Sequence, residues 1–337
     1  VQLSEYDAAL DGEAQVAPGH RLYTGLAYRD THLETLSNRN NYETTDFLGR
    51  MARGPAVPVR FYGEVTSTAP FGPEGEHRRV RSAYVQDRWT VSDALEVTLG
   101  ARWDDYSDFG SSLNPRAAAV FTRSPRDTWK VMYGEAFRAP TVTELGATNG
   151  PVRVGNPDLE AEKVQTLELA WVRDSEALRT TATAYHSRLR ERIVDVPIPG
   201  TPLTTLENAG ELDVSGLELE AQARLGQDWL LRATWSHALK ADEDPRTTPR
   251  NAGSLIANYQ RGRLNLNLSA LYRSATRTAT TPSAELDGHW RLNTHLRYRL
   301  DGAVLIAGVR NLLDEDYATP TRTDLPGGTP QRGRQIR

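Results

Sequence analysis

Leu217-Glu218-Leu219-Glu220-Ala221-Gln222-Ala223-Arg224-Leu225, a break at Gly226-Gln227-Asp228, and the run from Trp229 to Leu239 form the stretch that decides the fold. Leu217, Leu219, Ala221, Ala223 and Leu225 alternate with Glu218, Glu220, Gln222 and Arg224. After the break Trp229, Leu231, Ala233, Trp235 and Leu239 resume a spacing of two. Residues two apart in a strand share a face, so each half is a strand with one apolar and one polar side. The polar side carries Glu and Arg in mid-strand, not merely Ser and Thr. Strands of about ten residues with this pattern, repeated many times, suit a membrane barrel: lipid outside, water or packed protein inside.

The same period extends in both directions. Val80–Val91 and Leu95–Tyr106 meet at Ser92–Asp93, Leu113–Arg123 and Asp127–Phe137 at Ser124–Arg126, and Lys163–Arg173 and Ala177–Arg190 at Asp174–Glu176. Ala252–Gln260 and Leu264–Arg273 meet at Arg261–Arg263, and Trp290–Leu300 and Ala303–Asn311 at Asp301–Gly302, a strong hairpin signal. Val1–Leu10 and Arg21–Arg29 read as strands around a turn region Asp11–Gly19, and Arg334–Arg337 begins a last strand, giving about fifteen. The other connections are longer: Asp30–Arg79, Arg138–Glu162, Glu191–Glu211, Lys240–Arg250, Ser274–Asp287 and Leu312–Gly333. Bacterial outer-membrane barrels have this asymmetry, with tight periplasmic turns and long extracellular loops. Trp89, Trp129, Trp229 and Tyr298 lie close to the tight turns, where amphipathic rings form a girdle at headgroup level. The pattern therefore places Leu217, Leu219, Trp235, Leu264, Leu266, Leu292 and Leu296 outward. It places Glu218, Glu220, Asn265, Arg291 and Arg297 inward.

Composition agrees and excludes much else. Among the 337 residues no run of about 18 apolar ones appears, which rules out membrane-spanning helices but not strands. The net charge of −4 leaves no electrostatic footprint for nucleic acid. Only Lys130, Lys163 and Lys240 are lysines, so arginine supplies 37 of the 40 basic residues. The absence of cysteine excludes disulfides, thiolate metal sites and a cysteine nucleophile. The seven histidines show no metal-ligand spacing, and no cofactor motif is present. Ser236 and His237 are neighbours, but adjacent strand residues point to opposite faces, so the pair is no catalytic dyad. Asp104, Asp105 and Asp108 read as a solvated acidic loop in preference to a calcium site. No catalytic or metal residue is assigned, and the chain reads as a non-enzyme.

Five motifs resemble TonB-dependent outer-membrane receptors. They are Tyr133-Gly134-Glu135-Ala136-Phe137-Arg138-Ala139-Pro140-Thr141, Gly155-Asn156-Pro157-Asp158-Leu159-Glu160-Ala161-Glu162-Lys163, Asn208-Ala209-Gly210, Gly216-Leu217-Glu218-Leu219-Glu220, and Val309-Arg310-Asn311-Leu312-Leu313-Asp314-Glu315-Asp316-Tyr317. The resemblance runs from about Val80 onward. It implies an all-β protein, an antiparallel transmembrane β-barrel, of which residues 1–337 are an incomplete portion of a 22-stranded whole. Plug domain, coupling box and early strands are then expected to lie outside this chain. The implied location is the bacterial outer membrane, with lipid around the barrel and the TonB energy-coupling complex acting through the plug.

Substrates of such receptors include ferric siderophores, haem, cobalamin, metals and sugars. Haem receptors of the family commonly place a histidine between the two loop motifs, and Thr141–Gly155 contains none. Ferric siderophores are often anionic, and arginines on the polar phase (Arg102, Arg232, Arg291, Arg297, Arg299) suit them, although holding a plug is the stronger reading of the same arginines. Arg138, Arg102, Arg291 and Arg297 are the candidate ligand-binding residues. Pro140 and Pro157 bias the residues before them away from helix and fix the strand ends. Glu160 and Glu162 are expected to pair with Arg138 across the loop mouth. The expected function is energy-coupled uptake of a ferric siderophore or similar iron chelate, with a cobalamin receptor or a non-specific porin as the alternatives.

Overall fold

The computed structural model describes residues 2–35, 37–40, 67–70, 75–147, 153–201, 203–241, 248–278, 284–320 and 328–336. In chain order the first strands are Gln2–Ala17 (β1), His20–Thr35 (β2), Ser37–Asn40 (β3), Ser67–Pro70 (β4), Glu76–Ser92 (β5), Leu95–Tyr106 (β6), Gly110–Ser124 (β7) and Asp127–Arg138 (β8). One helical turn, Val142–Gly146 (α1), precedes Glu162–Asp174 (β9), Leu178–Arg190 (β10), Ile193–Pro197 (β11), Thr204–Asn208 (β12), Leu212–Leu225 (β13) and Trp229–Ala241 (β14). Then come Asn251–Arg261 (β15), Leu264–Arg273 (β16), Thr276–Arg277 (β17), Glu285–Leu286 (β18), His289–Leu300 (β19) and Ala303–Arg310 (β20). Ala318–Thr319 (β21), Thr329–Pro330 (β22) and Gln335–Ile336 (β23) follow.

Fifteen of these strands make a single antiparallel sheet, each paired with the next long strand along the chain. The eight short ones pair two by two within the long loops. Sequential pairing satisfies the strand N–H and C=O groups from β2 to β19 within the protein, which is what lipid demands of a backbone that crosses it, while the outer edge of β1 and all but Val309 and Arg310 on that of β20 have no strand partner among the described residues. β1 and β2 have 16 residues each, about 50 Å of extended chain, so they outreach the hydrocarbon layer even when tilted.

The register puts like against like. Leu219 faces Trp235 across β13 and β14 while Glu218 faces Ser236, and Leu266 faces Leu296 while Asn265 faces Arg297. The two phases expected from the sequence are thus the two faces of one sheet. On the apolar face Leu169, Leu217, Leu219, Leu255 and Leu305 are 42–58% exposed. Such a surface is tolerable only against lipid. Ring pairs line that face: Trp129 with Trp171 and Trp229 with Tyr259 near the tight turns, Trp235 at the middle of β14 with Tyr272, and Tyr272 with Trp290 toward the long loops.

Polar pairs cover the other face. Arg29 donates to Asp7 at 2.6 Å, Tyr84 to Asp11 at 2.9 Å, Ser82 to Asp104 at 2.6 Å, and Thr234 meets Ser254 at 2.7 Å. The turn expected at Asp11–Gly19 is smaller in the structure. β1 runs straight through Asp11 and Gly12, and only Pro18 and Gly19 turn, Gly19 with φ +78°. Asp11 is a wall residue held by Tyr84, whose ring lies where a side chain on Gly25 would be. The loop expected over Asp30–Arg79 also narrows, because β2 and β5 stay paired as far as Leu33 and Glu76. Residues 41–66 of that expectation lie outside the described residues.

Leu219→Arg is expected to cost about 2–4 kcal/mol of folding stability in a bilayer, the penalty for a cation near the hydrocarbon centre. Glu220→Arg, on the opposite face, should cost under about 1 kcal/mol. Urea titration of the protein in lipid vesicles measures both, and equal penalties would contradict the face assignment.

Candidate functional site

Three of the loop motifs meet at the ends of β8, β9, β10 and β13, and their side chains explain their composition. Arg138, the last residue of β8, donates Nε to Glu162 at 2.6 Å and Nη1 to Glu144 at 2.8 Å. Glu162 also accepts the Ile193 backbone N–H at 2.8 Å. Glu144 is placed by α1: Thr141 caps the turn by accepting the Glu144 N–H, and Glu144 accepts the Thr141 N–H in return. The expected partner Glu162 is therefore present, but the second carboxylate is Glu144 in place of Glu160. Glu160 contributes backbone instead, its N–H and C=O both bonded by the Asn208 amide at 2.8 and 2.9 Å.

The remaining motif residues close the loop on itself. Asn156 donates its amide to Leu206 C=O at 2.8 Å and accepts the Asp158 N–H at 2.9 Å. Gly155 lies so near the Gly146 and Ala147 backbone that a Cβ would stand 2.5 Å from the Ala147 nitrogen. Asn208 donates to Glu191 C=O as well, at 2.8 Å, where Glu191 takes a left-handed φ of 53°. Each side-chain amide thus replaces a ladder partner for backbone that has left the sheet.

The last motif works the same way farther along the sheet. Asn311 is buried, has φ 52°, accepts the Glu315 N–H at 3.0 Å and donates to its C=O at 2.9 Å. Asp314 accepts the Arg334 N–H, which ties down the approach to β23. This fold of the chain brings Tyr317 back over the polar face, where its ring stacks on His289 at 4.3 Å and its hydroxyl accepts from Arg291 at 3.1 Å. Sequence reading did not single out Asn311 or Tyr317 as site residues. The signal available was the position of both in the motif that follows β20.

Two cavities flank Tyr317. The first, about 510 Å³, mixes charges: Glu218, Glu220, Arg273, His289 and Arg291 share it with Thr234, Ser254 and Gln331. The second, about 770 Å³, is lined by Arg291, His295, Arg310 and Arg332 with Asn267, Asn293, Gln331 and Gln335, and no carboxylate stands among its described lining residues. The first lies against the polar face of β10, β13 to β16 and the start of β19, the second against that of β16, β19 and β20.

The four candidate arginines are not gathered at one point. Arg138 is clamped by Glu144 and Glu162, and Arg102 grips the buried Asp104 through Nε and Nη2 at 2.9 and 2.7 Å. Arg291 stands between the two cavities, and Arg297 is exposed on the same face of β19, opposite Asn265. The acidic group Asp104, Asp105 and Asp108 is not the solvated loop expected. Asp104 is 3% exposed in the wall, Asp105 pairs in register with Arg81 on the other face, and Asp108 binds Arg78 at 2.6 Å. Among the described residues no cluster of three metal-ligating side chains occurs.

The clamp makes two predictions. Burial alone would raise the Glu144 carboxyl, but the Arg138 guanidinium and the Thr141 N–H outweigh it and hold Glu144 below its ordinary value of 4.5. A lowered carboxyl stabilises the folded loop above that ordinary value and ceases to do so as pH falls through the lowered one. Protection of the Thr141 and Ile193 amides against hydrogen exchange should therefore hold at pH 6 and weaken below about pH 4. Arg138→Met should loosen the same amides at pH 7 by about 1–2 kcal/mol, allowing for the half-exposed guanidinium. Unchanged exchange would show the clamp to be incidental.

Known proteins agree with this architecture. The family described as TonB dependent receptor-like, beta-barrel, matches residues 2–312. The iron-regulated outer membrane virulence protein of Vibrio cholerae is 25% identical over 211 residues, 55% of this chain and 32% of that protein. The vitamin B12 transporter BtuB of the same species is 24% identical over 241 residues, 67% of this chain and 37% of its own length. A crystal structure of the ferric enterobactin receptor PfeA of Pseudomonas aeruginosa, an arginine-to-alanine mutant in complex with enterobactin, superposes with a TM-score of 0.76 at 17% identity, covering 99% of this chain and 53% of that one. The siderophore receptor PirA of Acinetobacter baumannii gives 0.74 at 16%, with the same coverage. The chain spans about a third of the length of these curated relatives and about half of the solved receptors. Sheet, motifs and matches converge: the chain belongs to the TonB-dependent receptor β-barrel family of the bacterial outer membrane.

Proposed function

We propose that this chain is barrel wall and loops of a receptor that takes up a ferric siderophore, with energy delivered by the TonB complex through a plug domain of the full-length protein. One observation carries the substrate class: the cavity of about 770 Å³ that Arg291, His295, Arg310 and Arg332 line without an opposing carboxylate among the described residues. A carboxylate-free group of guanidiniums favours an anionic chelate, because each planar fork can meet paired oxygens. The names of several relatives point the same way, including the iron-regulated protein and PirA.

In this reading Arg291 and Arg297 face the ligand path, and Arg310 and Tyr317 join them. Arg138 and Arg102 act one step back, since their guanidiniums already hold carboxylates of the loop and the wall. The long-loop end admits the ligand, and the loop carrying Tyr317 and Gln331 forms the side of the cavity that a bound chelate would touch.

The test is a titration of ferric catecholate, hydroxamate and carboxylate siderophores and of cyanocobalamin against the full-length protein in detergent. One ferric siderophore class should bind saturably. Arg291→Ala and Arg310→Ala should each weaken it about tenfold, or roughly 1.4 kcal/mol. Saturable binding of cyanocobalamin alone would replace the siderophore with cobalamin. Unsaturable flux sorted only by solute size would return the porin reading.

A further inference from the structure

Arg291, Tyr317 and Gln331 line both cavities of the polar face, so the two spaces meet across these side chains. His289 lines only the first cavity, and His295 and Arg310 only the second. The Tyr317 ring stacks on His289 with 23° between the planes, and its hydroxyl accepts from Arg291 Nη1. The ring therefore stands at the boundary. On one side are the carboxylates of Glu218 and Glu220, and on the other the cavity whose described lining holds none.

Backbone on both sides holds that ring in place. Asn311 donates its N–H to the Asn293 side-chain oxygen at 3.1 Å and Leu312 to Leu292 C=O at 2.8 Å, which pins the chain to β19 ahead of Tyr317. Beyond it, Tyr317 C=O accepts the Gln331 N–H at 2.9 Å. The Gln331 amide donates in turn to Thr319 Oγ1 at 3.0 Å and Thr329 C=O at 3.2 Å. A tyrosine packed on a second ring and hydrogen-bonded at its tip has few ways to move aside. The boundary is a wall and not a lid.

Arg291 keeps donors beyond the one that holds the wall. Its Nε is buried and finds no acceptor among the described residues. A guanidinium carries its N–H groups in a fixed fork, so Nη1 can brace Tyr317 while the remaining donors stay available to a ligand oxygen. We infer that Tyr317 is a specificity-determining residue: its ring fixes the depth of the anion-binding cavity and so the width of iron chelate that the cavity accepts. A chelate drawn in by Arg291, Arg310 and Arg332 stops at the ring, short of the carboxylates beyond it. A wider chelate of the same charge needs space that the ring occupies, and is rejected by shape. The inference deepens the uptake proposal and rests on it, because it takes the second cavity as the seat of an anionic chelate.

The experiment titrates two iron(III) complexes against the full-length protein in detergent: the tris-catecholate and the tris(2,3-dihydroxynaphthalene) complex. Both have the same charge and iron–oxygen shell, but the second extends each arm by a fused ring. The narrow complex should bind at least about tenfold tighter. Tyr317→Ala should bring the two affinities within about twofold of each other, chiefly by admitting the wide complex. Tyr317→Phe, which keeps the ring and loses the hydroxyl, should preserve the discrimination. His289→Ala leaves Tyr317 in place without its stacking partner and should lower the discrimination in the same direction as Tyr317→Ala. Folding of each variant is checked by its heat-dependent shift in electrophoretic mobility. Equal affinity of the unsubstituted protein for the two complexes would overturn the inference. So would unchanged discrimination in folded Tyr317→Ala, or an equal loss of both complexes, which is what a merely structural tyrosine would give. These outcomes leave the uptake proposal standing, whereas binding of neither complex by the unsubstituted protein would overturn both.

Discussion

A backbone that crosses lipid has no water to fall back on, so each N–H and C=O must find its partner within the protein. That demand governs the sheet. Fifteen strands pair in sequence order with no crossover, because a hairpin brings the next strand to the open edge before any other can reach it. Once the ladder is fixed, the pleat sorts side chains into two faces, and a slip of one residue would exchange them. Leu219 against Trp235 and Glu220 against Thr234 are two consequences of one register.

The polar face carries the second burden. Charges that cannot face lipid are held in short-range pairs, such as Arg29 with Asp7 and Arg102 with Asp104, and the wall behaves as a fixed lattice of donors and acceptors. Where the chain leaves the ladder, side-chain amides take over. Asn156, Asn208 and Asn311 each bond backbone groups that no neighbouring strand serves, and the Arg138 clamp fixes the loop mouth between two carboxylates. The family's loop motifs are therefore a hydrogen-bonding solution to leaving a barrel wall. Ligand-facing groups such as Arg291 and Tyr317 are positioned by that frame.

Much of the fold was legible because period two survives in a long strand and tight turns have few sequence solutions. Leu95–Tyr106 and Leu264–Arg273 end in the structure where the alternation ends. The failures have physical causes as well. Asp11 and Gly12 carry turn chemistry, yet the ladder to Gly25 and Thr24 overrides it. The hairpin of Ile193–Pro197 with Thr204–Asn208 lies in a stretch read as loop, because five-residue strands offer too few alternations to count. Glu144 took the place given to Glu160 because a capped helical turn swings it back onto Arg138, a contact that sequence spacing does not encode. Arg291 and Arg297 could be assigned a face by parity, whereas the cavities beside them depend on how the loop after Asn311 folds back.

The central claim is that adjacent residues of one strand meet lipid and the barrel interior in turn. Residues 1–337 contain no cysteine, so single cysteines can be placed at Leu217, Glu218, Leu219 and Glu220 of the full-length protein, with any cysteine outside this stretch replaced by serine, and carry a fluorescent label. The direct measurement is quenching of each label by brominated acyl chains, with the protein reconstituted in bilayers. The account predicts strong quenching at positions 217 and 219 and little at 218 and 220. Uniform quenching across the four positions, or the reverse alternation, would contradict it.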